Sequence, residues 1–262
     1  MLKVRRSTLY TLWFRHYSRA QLRKHFDKVR VIGVRALQTM RLDIPIIFYC
    51  NHAYWWDGFW TQLCTEAYFK QNLYIIIEYK QLVRYQFFTR LGAFSIVREN
   101  PREALETISY AVEKLTEPSE KQNALWIFPQ GIIEHVDKRP IVFFNGAAKI
   151  AERVLEKLPA VYVCSMVSRI DYIEEQKPEL FLSFKPPMCL TKENFVSAKA
   201  LTASMQCQTE AHLDELKSVI VKREFEHAEI LVEGAPSINR RWDMFRAHFF
   251  GAKKKWGNTK EG

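Results

Sequence analysis

Short apolar runs, each too short for a helix and each followed by a segment with helical spacing, constrain this chain more than any other feature. Ile46 to Cys50, Leu73 to Ile77, Ala124 to Phe128, Ala160 to Val167 and Leu180 to Phe184 are rich in β-branched and aromatic residues and read as buried strands. Proline or glycine closes the third run, at Pro129 and Gly131, and proline stands just before the first and the fourth, at Pro45 and Pro159. Helices are expected from Trp55 to Lys70 and from Ala147 to Leu158. The best marked follows Asn100-Pro101-Arg102-Glu103, an N-cap, a first-turn proline and a glutamate at the third helical position, with Ala104, Leu105, Ile108, Val112 and Leu115 at helical spacing. Strands alternating with helices predict an α/β fold, a single layered domain with a mixed, partly parallel sheet flanked by helices.

The 262 residues and their 48% hydrophobic content suffice for one sizeable core. Residues 31–200 are expected to form that domain, with a basic amphipathic helical segment over 1–30 and a helical extension over 201–262. The tail reads as helix from Glu210 to Lys255 and ends on Lys253-Lys254-Lys255-Trp256. Thirty-nine Lys and Arg against 29 Asp and Glu give a net charge of +10, which implies an anionic partner. In the first segment Arg5, Arg15, Arg19 and Arg23 interleave with Leu9, Trp13 and Tyr17, a composition suited to the headgroup layer of a membrane or to a helix packed on its own domain. No run approaches the roughly 18 apolar residues of a spanning helix. The five cysteines are scattered without a C-x-x-C pair and read as free thiols of a reducing compartment.

Asn51-His52-Ala53-Tyr54-Trp55-Trp56-Asp57 carries the chemistry. A histidine in the loop after a strand can take a proton at neutral pH, and a carboxylate on its other ring nitrogen fixes the tautomer. Residues five apart do not face each other on one helix, so His52 is expected in the loop with Asp57 reaching back from the helix. On the bare spacing alone, a histidine bonded to the backbone and an aspartate capping a helix is the preferred reading. Tyr54, Trp55, Trp56, Phe59 and Trp60 are candidate groove walls, of which two or three at most can face a substrate. Cys64, on an apolar helix, reads as core rather than nucleophile. Glu134-His135-x-Asp137 lacks a second histidine at ligand spacing, and no metal site is expected there.

The segment resembles the N-H-x4-D signature of the lysophospholipid and glycerol-phosphate acyltransferase family, 1-acylglycerol-3-phosphate acyltransferases among them. Further motifs follow in the family's order. Gly33 and Pro45 resemble its approach to the first motif, and Gly92-Ala93-Phe94-Ser95-Ile96-Val97-Arg98 is similar to the second. Phe128-Pro129-Gln130-Gly131 resembles the third, usually F-P-E-G-T-R, and Leu158-Pro159-Ala160-Val161 the fourth, so that the likeness spans roughly Val31 to Met166.

The resemblance implies transfer of an acyl group from acyl-CoA or acyl carrier protein, as co-substrate rather than bound cofactor, to a hydroxyl of a lysolipid or related acceptor. His52 would be the general base, Asp57 its orienting partner, and Arg98 a ligand of the acceptor's phosphate. Oxyanion donors are expected among backbone N–H groups near Gly131. The expected setting is peripheral, on the anionic cytoplasmic face of a membrane, without nucleic acid as partner. Departures bear on the acceptor. Gln130, Ile132 and Ile133 stand where the third motif usually has Glu, Thr and Arg, Val97 replaces an acidic residue, and Tyr162 replaces a proline of the fourth motif. Lys138 and Arg139 are expected to restore cationic charge from the same loop, or the acceptor is a glycolipid or another lipid alcohol. A non-catalytic basic binding module and a hydrolase using the same histidine are the competing readings.

Overall fold

A strand buried along its whole length can satisfy its backbone only with a neighbour on each side. In the computed structural model, which describes residues 1–235 together with 242, 245 and 246, β1 (Lys28–Ile32) is followed by β2 (Ile46–Cys50), all five of whose residues are buried. β2 lies parallel between β5 (Asn123–Ile127) and β6 (Ala160–Asp171). β3 (Asn72–Glu78) extends the parallel set beyond β5, and β4 (Ala93–Ile96) closes that edge. On the other side β6 turns back into antiparallel β7 (Glu179–Phe184), which pairs in parallel with β1. β9 (Glu229–Glu233) is antiparallel to β1, and β8 (Met188–Thr191) is antiparallel to the start of β6. The sheet is mixed and mostly parallel, ordered β4-β3-β5-β2-β6-β7-β1-β9.

Alternate side chains of the central strands feed two cores. Ile47, Tyr49, Leu125 and Ile127 pack under α4 (Pro101–Thr116), α5 (Gly146–Lys157) and α6 (Ala198–Lys222). Ile46, Phe48 and Trp126 pack on the opposite face with Leu22 of α1 (Thr8–His25) and with Trp60 and Leu63 of α2 (Asp57–Cys64). A short α3 (Tyr79–Arg84) follows β3. Burying both faces explains why these strands are continuous apolar runs rather than alternating ones.

The five predicted strands and the α/β class are present, with helices at both ends of the chain. The cap of α4 forms as its sequence implies: Asn100 Oδ1 accepts from the N–H groups of Arg102 (3.1 Å) and Glu103 (3.4 Å), and its Nδ2 donates to Glu103. The helix expected from Glu210 to Lys255 needs correction. α6 starts earlier, capped by Ser197, and ends at Lys222, where Arg223 takes a left-handed φ of 59°, and β9 follows. The basic terminus at 253–256 lies outside the described residues. Among the described residues no helix is long and apolar enough to cross a membrane.

Candidate active site

Parallel strands bring the loops at their carboxyl ends to one edge of the sheet, where ligands of open α/β folds bind. β2, β4 and β5 all run this way, so Asn51 and His52, Arg98, and Phe128 to Gly131 converge there. Asn51 is the last pin of β2. Its side chain pairs with β6 like an added strand residue, donating to the Ser168 carbonyl (3.1 Å) and accepting from the Ser168 N–H (2.8 Å).

His52 lies in the loop and Asp57 is the first residue of α2, an arrangement that brings His52 Nδ1 to 2.7 Å from Asp57 Oδ2. Asp57 is 1% exposed. Its other oxygen accepts from the Trp60 indole N–H at 3.1 Å, with the Ser168 hydroxyl at 3.5 Å. Burial pushes the Asp57 carboxyl above its ordinary value, while the bonds from His52 and Trp60 pull the other way. A carboxylate held at Nδ1 puts the ring proton there and leaves Nε2 with its lone pair. Nε2 has no hydrogen-bond partner among the described residues, and the His52 side chain remains 22% exposed.

The loop after β5 grips the same histidine through its backbone. The His52 N–H donates to Gln130 Oε1 (2.7 Å), and the His52 carbonyl accepts from the Glu134 N–H (2.9 Å). Gln130 Nε2 in turn donates to Glu134 Oε2 at 2.9 Å. The Phe128 ring lies 4.8 Å from the imidazole, centroid to centroid. Pro129 accepts from the Phe144 N–H, which fixes the far end of the loop. Gly131 has a φ of +72°, and a Cβ there would come within 1.9 Å of Arg98 Nη1, so the glycine is what admits the guanidinium. Arg98 also lies over the Phe144 ring at 5.4 Å.

Not every expected residue joins this cluster. Gly92 takes a φ of +110° against the Leu73 carbonyl before β4, Phe94 is buried in the core beside Tyr110, and Pro159 separates α5 from β6, so these three build the sheet. Lys138 bonds Glu134, and Arg139 pairs with Asp214 of α6 at 3.0 Å. Both cations are therefore committed to carboxylates, and Asp137 of the same loop is held by Arg169. The Gly131 N–H is spent on the Phe128 carbonyl (3.0 Å), which removes it from the expected oxyanion donors. Phe59 and Trp60 are buried, whereas Trp55 is 64% exposed, Trp56 partly so, and Tyr54 is tied through its hydroxyl to the Ile170 N–H. Burial pushes the Cys64 thiol far up, as a core residue requires. Ser168 and Glu134 were not legible as site residues: their contacts to Asp57 and His52 span 111 and 82 positions.

Among known families, the one described as Acyltransferase matches residues 28–173, a span that holds every residue of the cluster. No curated protein matches the chain.

Proposed function

The chain belongs to the glycerol-phosphate and lysophospholipid acyltransferase family, and from that premise we propose that it moves a fatty acyl group from acyl-CoA or acyl carrier protein to a lipid hydroxyl, with His52 as base. The observation that carries this reading is the 2.7 Å bond from His52 Nδ1 to buried Asp57, with Nε2 unbonded among the described residues and the side chain partly exposed. Nε2 takes the acceptor's hydroxyl proton as its oxygen attacks the thioester carbonyl. Asp57 holds the ring and stabilises the imidazolium, which then protonates the departing thiolate. No acyl-enzyme is needed, and the buried thiols of Cys50, Cys64 and Cys164 are pushed too far up to serve as nucleophiles.

Arg98 is the acceptor's cationic contact in this reading. With Lys138 and Arg139 paired to carboxylates and Ile132 and Ile133 about half exposed on the loop, the rim favours an acceptor with an apolar chain and one group for a guanidinium fork. The protein works peripherally, on an anionic cytoplasmic leaflet. Support comes from α1, which exposes Leu9 (81%), Trp13 (54%), Arg19 and Arg23, with exposed Arg5 in the segment before it. Its aromatics continue toward the site through Tyr17, Phe59 and Trp55, each ring within 6.1 Å of the next.

The test is incubation with labelled acyl-CoA or acyl carrier protein and separate lysolipid, glycerol-phosphate and glycolipid acceptors. Acceptor-dependent labelled lipid is expected; labelled free fatty acid alone, undiminished by excess acceptor, contradicts a transferase. Binding to anionic vesicles is expected to weaken as salt rises, and binding indifferent to salt contradicts the electrostatic part.

A further inference from the structure

The loop after β5 does more than approach His52: it closes a ring of three hydrogen bonds around the histidine's backbone. His52 N–H donates to Gln130 Oε1, Gln130 Nε2 donates to Glu134 Oε2, and Glu134 N–H donates back to the His52 carbonyl, at 2.7, 2.9 and 2.9 Å. Gln130 is 7% exposed, so neither half of its amide has water as a ready substitute. With a carboxylate at position 134, the ring works only if residue 130 accepts at one end and donates at the other. A carboxylate at position 130 could still accept from His52, but its second oxygen would face Glu134 Oε2 with no proton between them, two like charges in contact. Glu134 is in turn held by Lys138, which keeps it ionised and lowers its carboxyl below the ordinary range.

We infer that Gln130 and Glu134 act as one complementary amide and carboxylate pair that positions His52, so that the negative charge absent from position 130 is supplied four residues later. Neither side chain bonds the imidazole; both act through the His52 peptide, while Asp57 holds the ring by its hydrogen bond and Phe128 packs beside it. They are positioning residues, and the identity of each dictates that of the other. The pair also links the catalytic loop to Lys138, which explains why that lysine is not free for the acceptor. The inference rests on the transferase reading for its kinetic consequence but not for its structural one.

The experiment is a double-substitution cycle, read by kinetics and by unfolding. Gln130→Glu alone is expected to lower kcat by about 30-fold or more with the acyl-donor KM changed by less than about 3-fold, because displacement of a base by about 1 Å has that order of effect. It also lowers Tm by about 3 °C or more. Glu134→Gln alone costs less, about 5-fold in kcat, since an amide can still accept from Gln130. The two substitutions together again set one donor against one acceptor, with the bond reversed so that residue 134 donates to residue 130 and the charge moved, and kcat returns to within about 5-fold of the parent. A double variant no better than Gln130→Glu, or a Gln130→Glu variant with parental kcat and Tm, overturns the pairing. If the parent transfers no acyl group, the transferase reading fails, and the Tm cycle still decides the pair: recovery of Tm in the double variant supports it, and additive losses overturn it.

Discussion

Among the described residues two histidines sit beside hydroxyl or carboxyl side chains, and only one has the surroundings that suit a base. His52, at the carboxyl edge of the sheet, has a carboxylate on one nitrogen, nothing bonded to the other, and access to the surface. His212, on α6, is 2% exposed, with Nδ1 3.0 Å from Ser165 Oγ and Nε2 2.9 Å from Ser183 Oγ. Burial, with a smaller contribution from Lys185, pushes His212 down to about 3. A serine and histidine in contact resemble a nucleophile and its base, yet both nitrogens of His212 are occupied and its affinity for a proton is nearly lost. What separates a base from a structural histidine is therefore the charge of its partner and the exposure of its second nitrogen, not the presence of a neighbouring hydroxyl.

The contrast can be broken most sharply at its strong end. Replacing His52→Ala is expected to cut acyl transfer by about 10³-fold or more, the range for loss of a general base. Asp57→Asn keeps the shape but not the charge and favours the wrong tautomer, and should cost up to about 10⁴-fold with secondary structure, measured by circular dichroism, unchanged. Arg98→Ala should raise the acceptor KM by about 10-fold while leaving the acyl-donor KM in place, the loss of one charged hydrogen-bonding contact. The smallest effect on rate belongs to His212→Asn, within about 2-fold of the parent, because its role is in stability.

That role has a sign. Above the ordinary histidine value near 6.5 both folded and unfolded chains hold His212 neutral, and its contribution is complete. As pH falls from about 6.5 toward the folded value of about 3, only the unfolded chain takes up the proton, and stability declines. Denaturant titrations between pH 7 and 4 should show a His212 contribution approaching about 1.4 kcal/mol per pH unit, which His212→Asn removes. An identical slope in the variant would contradict the buried neutral ring. Over the same lower range the Asp137 carboxyl, drawn down to about 2 by Arg169, adds stability that disappears only as pH falls from about 4 toward 2.

The sequence disclosed the parts of the fold that depend on local pattern. β2 and β5 were readable because every residue in them is buried and all but Asn123 are apolar, and α4 because its cap is a contiguous motif. β1 was not, because Lys28 and Arg30 alternate with Val29 and Val31 inside a long basic stretch, and two inward residues are too few for a period to stand out. β9 escaped in the same way, a five-residue strand after a long helix. At the site, the His52 and Asp57 pair was visible because its spacing stood among further motifs in the order of the family it resembles; the spacing by itself did not single it out. The grip of Gln130 on His52, 78 positions away, exists only once β2 and β5 lie side by side. Lys138 and Arg139 are a related case: the sequence shows charge in a loop but not the carboxylates, Glu134 and Asp214, that the fold brings to meet it.

The central claim, that His52 and not its buried counterpart performs the chemistry, is tested most directly by acceptor-dependent thiol release from a long-chain acyl thioester in the parent, His52→Ala and His212→Ala proteins. Release is expected in the parent, loss to background in His52→Ala, and near-parental release per folded molecule in His212→Ala. Activity that survives the His52 substitution, or vanishes from folded His212→Ala protein, would contradict it.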